Sequence, residues 1–370
     1  MPILPENLLL PQQTVVKRGS IRDLFRLAAL FGPAGLLVHG ASLQRSGALD
    51  GIAGKPPAGA FLRTWQHAGG EPTVAEVDAL RMEIRKNRPD WVAAVGGGSV
   101  IDLAKAAAGL ADAPESAAFY QTRNPAIPPA RIPFIAAPTT AGTGSEATVV
   151  AVLTDPTRTL KQSIRHPSYM PKIVILDADL LSGCPPQTIA AAGLDAFIQA
   201  FESYTSRHAT PFTQALSETA LVHISRALLP LYRGDQRFAA DMLEASYVAG
   251  LALSHARLGV IHGLAHPLGV RTGTAHGLVC ALCLPACLDF NRPVIQPQLD
   301  TLKNRHGIDV QKQVEEWFSA MALPDALHHA DIGDRASFIR ETLASGSTAA
   351  NPRPVSDEDA SALLDAIIDG

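Results

Sequence analysis

The chain has 370 residues, of which 47% are apolar and 18% charged, and its 31 basic and 35 acidic side chains leave a formal net charge of -4. That length allows a large core and points to two domains. A mildly acidic chain without a basic tract speaks against a nucleic-acid partner, because phosphate binding needs clustered Lys and Arg.

The N-terminus, MPILPENLLLPQQ, has proline breaks and Glu6 where a leader would be basic. The apolar runs stop short of the roughly 20 residues a membrane helix needs. Three of the four cysteines cluster at Cys280, Cys283 and Cys287, which is no disulfide framework. The expected setting is cytoplasmic, with a small-molecule substrate and neither nucleic acid nor membrane as partner.

The first half alternates strand and helix signals. GLLVH (35–39) is β-rich and GASLQRSG (40–47) reads as a turn. Thr73-Val-Ala-Glu76 fits a capping box, with the hydroxyl and the carboxylate each satisfying an end N–H. Val77, Leu80 and Ile84 follow at helical spacing, up to RKNRPD. Trp91–Val95 is a strand, Val100–Leu110 a helix, and residues 132–138 and 173–177 are buried strands. Strands alternating with helices imply a mostly parallel sheet that is open to a nucleotide at its carboxyl edge.

Beyond residue 183 the pattern becomes helical, over 187–206, 211–231, 238–256 and 258–269. The predicted domains are an α/β nucleotide-binding part at 1–183 and an all-α part at 184–370. Asn351-Pro-Arg-Pro354 reads as a loop before a last helix.

Gly96-Gly97-Gly98-Ser99 stands between a strand and a helix, where bare backbone N–H groups and a helix N-terminus can hold a diphosphate. Asp102 and Lys105 lie on the first turns of that helix. Alone, the glycines also fit a plain tight turn. A second loop, residues 138–148, carries hydroxyls at Thr139, Thr140, Thr143 and Thr148, and two such loops at strand ends favour a nucleotide site.

The helical half holds Asp195 with Gln199 four residues on, then His262, His266 and His276. Residues four apart share a helical face, so Asp195 and the histidines can converge on a cation. Structural histidines in a bundle remain the other reading. His67, His208, His328 and His329 lack a partner pattern and read as surface residues. The cysteines share a face in an apolar setting and read as small buried side chains.

GGGSVIDLAK (96–105), PTTAGTGSEAT (138–148), GLDAFIQAFESY (193–204), HGLAHPLG (262–269) and AHG (275–277) resemble the iron-containing (group III) alcohol dehydrogenases. The resemblance implies a dehydroquinate synthase-like fold, with an N-terminal parallel-sheet dinucleotide domain and a C-terminal helical domain. It also implies NAD(P), one divalent metal, and hydride transfer between the nicotinamide and a carbonyl carbon. By resemblance, Asp195, His262 and His276 are metal ligands, and His266 is the nonligating histidine that relays a proton. Gly96, Gly97, Gly98, Ser99 and Asp102 map to the diphosphate loop. Thr139, Thr140, Thr143, Thr148 and Lys161 map to other cofactor contacts.

Three departures from the family pattern matter. The family's DxxxH motif reads Asp195-Ala-Phe-Ile-Gln199 here, and an amide oxygen is a weak ligand for a transition metal. Gln199 thus stands beside the metal, which is iron or zinc. The Asp that would bind the adenine ribose is Gly40, with Ser42 and Arg45 placed to meet a 2′-phosphate, so NADP is expected over NAD. Arg257 and Arg271 flank the histidines and can bind an anionic substrate group, or sit exposed or ion-paired.

The expected function is an NAD(P)-dependent alcohol dehydrogenase or aldehyde reductase, a homodimer or larger. The alternatives are a metal-independent reductase of maleylacetate type, a lyase of dehydroquinate synthase type, and a noncatalytic nucleotide-binding relative.

Overall fold

The computed structural model describes residues 2–45, 47–53, 56–123, 125–158 and 160–369. The chain divides into two compact units: one comprises Leu9–Thr140 and Gly144–Cys184, the other Met1–Leu8, Ala141–Thr143 and Pro185–Gly370.

The first unit runs β1 (Gln13–Val16), α1 (Leu24–Ala28), β2 (Ala34–His39), α2 (Ala41–Arg45), α3 (Ala48–Ala53), β3 (Phe61–Gln66), α4 (Val74–Asn87), β4 (Trp91–Gly96), α5 (Gly98–Gly109), α6 (Ala117–Arg123) and β5 (Phe134–Pro138). The antiparallel hairpin β6 (Val150–Asp155) and β7 (Leu160–Arg165) and the last strand, β8 (Ile173–Leu176), complete it. The main sheet is parallel, in the order β1-β8-β5-β4-β2-β3.

Successive strand residues point to opposite faces. Leu36, Val38, Val92 and Ala94 therefore pack with Val77, Leu80, Ile84 and Leu103 of α4 and α5. Leu37, Trp91, Ala93 and Val95 pack on the other side with Leu24, Leu27, Leu43 and Ile52 of α1 to α3. Both faces are covered, which is why the central strands read as unbroken apolar runs. Each such buried Leu, Ile or Val side chain contributes about 2 kcal/mol.

Two local readings change. The segment read as a turn from residue 40 forms helix α2 from Ala41, and Ser46 within it lies outside the described residues. Of the capping box, only half forms: Thr73 Oγ1 accepts from the Glu76 amide at 3.1 Å. The Glu76 carboxylate turns to His67 Nδ1 at 2.8 Å and accepts from the Ala68 amide. His67, expected at the surface, is consequently buried.

The second unit contains α7 (Pro186–Thr205), α8 (Pro211–Tyr232), α9 (Ala239–Ala256), α10 (Val260–Thr272), α11 (His276–His306), α12 (Val310–Met321), α13 (Arg335–Ala344) and α14 (Asp357–Ile368). Every residue of α7 from Gly193 to Thr205 is buried, and α8, α9 and α11 pack around it. A helix enclosed on all sides is the axis of its bundle. By length and composition α11 is long and apolar enough to cross a membrane, contrary to the reading of uninterrupted apolar runs. Half of its most apolar stretch is buried inside the unit, where α11 packs on α7 and α10.

Candidate metal and nucleotide sites

The helical unit gathers four potential donors. Asp195 comes from α7, His262 from α10, and His276 and Cys280 from α11, with donor atoms all within 4.8 Å of one another. His262 Nε2 lies 3.3 Å and His276 Nε2 3.9 Å from Asp195 Oδ1, and Cys280 Sγ lies 3.7 Å from His276 Nε2. Tetrahedral coordination with ~2.1 Å bonds separates its donors by about 3.4 Å, so these atoms already stand near the spacing a cation needs.

Local sequence explains the convergence. A Cβ at Gly277 would stand 1.8 Å from the Ala191 carbonyl oxygen and 3.0 Å from Asp195 Cβ. Only glycine lets α11 come this close to α7. At the start of α10, Glu202 Oε1 accepts from the Ile261 amide at 2.7 Å, and Asn351 Oδ1 accepts from the Val260 amide at 3.1 Å. These caps satisfy the free end of α10 and put a carboxylate at its positive pole. The same Glu202 carboxylate accepts from His262 Nδ1 at 2.6 Å. A proton is thereby held at Nδ1, which leaves Nε2, facing Asp195, as the atom that a bound cation would take. Asn351, in the segment read as a loop, is fully buried and bonded to Asn291.

The electrostatics follow from this crowding. Burial disfavours the His262 cation, but Cys280, Asp195 and Glu202 outweigh it and raise the imidazole well above its usual value. Burial raises the Cys280 thiol, with His262 opposing. Cys283 and Cys287 are pushed well above the usual thiol range by burial.

The residues present fit a divalent cation. They supply a carboxylate, two imidazoles and a thiol. They also supply Gln199 Oε1, a buried oxygen without a hydrogen-bond partner among the described residues. Gln199 follows Asp195 by one turn of α7. His266, half-buried, stacks on His276 with ring centroids 4.9 Å apart and an interplanar angle of 13°.

Sequence reasoning missed two residues here. Cys280 was grouped with Cys283 and Cys287 as a core side chain, although His276-x3-Cys280 repeats the spacing that singled out Asp195 and Gln199. Glu202 lies seven residues, or two turns, beyond Asp195. Of the arginines, Arg257 is exposed, with φ +63 at the end of α9. Arg271 has a carboxylate of its own: Glu341 accepts from it at 2.9 and 2.7 Å, and Phe338 lies under the guanidinium. The ion-paired alternative describes Arg271.

In the nucleotide unit, β3 lies to one side of β2 while β4, β5 and β8 follow on the other. The order in which strands are added across the sheet therefore reverses between the parallel neighbours β2 and β4, and at such a switch point ligands bind beyond the carboxyl ends of the strands. Gly40 follows β2, Gly96 ends β4 and Gly97 precedes α5. Gly97 is the N-cap, with no side chain bonded to the helix end, so the N–H groups that follow, at Gly98 and Ser99, are not capped from within the helix. A Cβ on Gly97 would crowd Thr140 at 3.3 Å. Thr139 is buried and its amide donates to the Gly96 carbonyl at 3.0 Å, which ties the second loop to the first.

Three expected cofactor contacts are already engaged within the protein. Asp102 accepts from Ser145 Oγ and from the Val152 amide. Lys105 Nζ, buried, donates to the Ser145 and Val150 carbonyls at 2.6 Å and to Thr148 Oγ1 at 3.2 Å. Asp102, Lys105 and Thr148 thus clasp the loop onto α5. Lys161 Nζ pairs with Glu71 at 2.8 Å. Thr143 is exposed and is grouped with the helical unit. Ser42 and Arg45 are exposed on α2. Burial pulls Lys105 down to about 8 and pushes Glu146, also in the loop, up to about 7.

Comparison with known proteins identifies the family. Residues 11–178 match the family described as iron-containing alcohol dehydrogenase, and residues 189–368 its C-terminal part. The probable alcohol dehydrogenase EutG of Salmonella typhimurium is 39% identical over 264 residues, covering 71% of this chain and 65% of that protein. The match therefore spans just under two thirds of that relative's length. Lactaldehyde reductase of Escherichia coli K12 is 32% identical over 279 residues, 75% of this chain and 73% of that protein. The structure of sulfoacetaldehyde reductase from Bifidobacterium kashiwanohense in complex with NAD+ superposes with a TM-score of 0.88 at 25% identity, covering 98% of each chain.

Proposed function

The chain belongs to the iron-containing alcohol dehydrogenase family, and from that premise we propose that it interconverts a small alcohol and its aldehyde or ketone with NAD(P) and a divalent metal. The observation that carries this reading is the convergence of Asp195, His262 and His276, with Glu202 behind His262. When bound, the nicotinamide gives or takes the hydride, and the cation draws electron density from the substrate oxygen.

The chain's own residues do the rest. Glu202 holds His262 in one tautomer and one orientation. His266, stacked on His276 and partly exposed, exchanges the hydroxyl proton with solvent. Gly97, Gly98 and Ser99 present the α5 N-terminus to the diphosphate, while Lys105 keeps the second loop in place. A carboxylate among the donors favours a cation over the metal-independent reading.

NADP is favoured over NAD, because Gly40 puts no carboxylate beside a 2′-phosphate and Ser42 and Arg45 are exposed close by in sequence. Exposed Arg257 supports an anionic aldehyde as substrate, and the Bifidobacterium relative is a sulfoacetaldehyde reductase. A cytoplasmic homo-oligomer remains part of the proposal: the free thiols at positions 184, 280, 283 and 287 suit a reducing compartment, and the oligomer rests on family resemblance alone.

The test is a steady-state assay of metal-loaded protein with NADPH and NADH against neutral and anionic C2 to C4 aldehydes. NADPH oxidation that falls at least about a hundredfold in Asp195→Ala supports the reading. Absence of turnover across that panel and the matching alcohols overturns it.

A further inference from the structure

The expected ligand set leaves the cation short of one strong donor. The residue four after Asp195 is Gln199, whose neutral amide binds transition metals weakly. We infer that Cys280 supplies that donor, so that Asp195, His262, His276 and the Cys280 thiolate form a mixed carboxylate, imidazole and thiolate site suited to zinc rather than iron. The inference rests on the metal reading above.

Position is the first argument. Cys280 Sγ belongs to the same 4.8 Å cluster as the other three donor atoms. It stands one turn from His276 on α11, the spacing at which two side chains share a helical face. Cys283 and Cys287, equally buried on the same helix, are not among the clustered donors. Helix geometry thus singles out one thiol of the three.

Chemistry is the second argument. Thiolate is a soft donor that selects zinc, whereas carboxylate and imidazole alone also suit iron. Asp195 and the Cys280 thiolate together balance the two charges of the cation, which matters for donors this deeply buried. On ligation the thiol proton leaves to solvent. A fifth coordination position, which zinc sites can open during reaction, would give substrate access beside four protein donors.

The test is a cobalt(II) titration of the full-length protein, stripped of metal by chelator and kept under reducing conditions. Expected is a near-ultraviolet sulfur-to-cobalt charge-transfer band saturating at one cobalt per chain. The band should persist in Cys283→Ser and Cys287→Ser and vanish in Cys280→Ser. Zinc affinity in Cys280→Ser should drop on the order of a hundredfold, and adding Gln199→His to that variant should recover much of it. Cobalt uptake by the unmutated protein without the band overturns the role of Cys280 and leaves the metal reading standing. Failure to take up any cobalt overturns both. The band in the unmutated protein keeps the inference falsifiable even if Cys280→Ser does not fold.

Discussion

Cys280 Sγ stands 3.7 Å from His276 Nε2, one turn further along α11. A single helix therefore delivers two of the four potential donors, and its seat against α7 decides whether they reach Asp195.

Gly277 sets that seat. In Gly277→Ala, the new methyl group would meet the Ala191 carbonyl oxygen at 1.8 Å, a backbone atom that no rotamer change can clear. α11 must retreat, with an overpacking cost of about 2 kcal/mol and metal affinity lowered more than ~10-fold. Urea unfolding and a zinc titration read the two effects. Unchanged values in both would show that α11 reaches Asp195 without this close approach.

Glu202 would act on a bound metal through its hydrogen bond to His262. In Glu202→Gln the side chain keeps its size but loses the charge that holds the Nδ1 proton at 2.6 Å. Metal affinity should fall about 10- to 100-fold, with nucleotide affinity unchanged. The comparison separates positioning from general damage, since a misfolded variant would lose both.

Glu146 makes stability depend on pH. Burial pushes its carboxyl up from 4.5 to about 7, and its Oε1 has no hydrogen-bond partner among the described residues. The folded state therefore holds this proton more tightly than the unfolded chain. The associated stability is present below pH 4.5 and is lost as pH rises through about 7. Glu146→Gln should match the unmutated protein near pH 4.5 and exceed it by up to ~3 kcal/mol near pH 7.5. Parallel stability curves in urea would show that Glu146 titrates normally.

The proposed preference for NADP is open to test at Gly40. A Cβ there meets only Val100 Cγ2 at 3.4 Å and Ser42 Oγ at 3.8 Å, so Gly40→Asp fits and adds a charge that repels a 2′-phosphate. The ratio of kcat/KM for NADPH to that for NADH should drop at least ~10-fold, about 1.4 kcal/mol. A ratio that does not move would show that the ribose binds elsewhere.

Strong, unbroken patterns were legible in the sequence. Trp91–Val95 and Ile173–Leu176, covered on both faces, announce a parallel sheet, and the Ala- and Leu-rich stretches after residue 183 announce a helical bundle. Elements held by partners were not. β3 has exposed, mixed residues and forms because β2 pairs with it. β6 and β7 depend on each other, with Gln121 donating to the Leu153 and Gln162 carbonyls.

At the sites, four-residue spacing marked Asp195 with Gln199 and His262 with His266, since such pairs share a helical face. The set Asp195, His262 and His276 came from the family resemblance, and the fold brings these three together. Polar residues were harder to read. Asp102, Thr148 and Lys161 have the chemistry of cofactor contacts, yet Ser145, Lys105 and Glu71 claim them inside the protein. Only the fold decides which partner a polar side chain finds first.

The placement of the donors on α7, α10 and α11 has a mechanical consequence. A cation held by Asp195, His262 and Cys280 would stitch together chain segments separated by the whole of α8 and α9. Like a covalent bridge, it would forbid the expanded conformations that the loop between them otherwise explores, a restriction of about 4 kcal/mol for a loop of this order. The clasp lies entirely in the helical unit, since no donor comes from the sheet. Heat resistance of the bundle then becomes a gauge of metal supply, and starving the protein of its cation slackens its scaffold as well as silencing its chemistry.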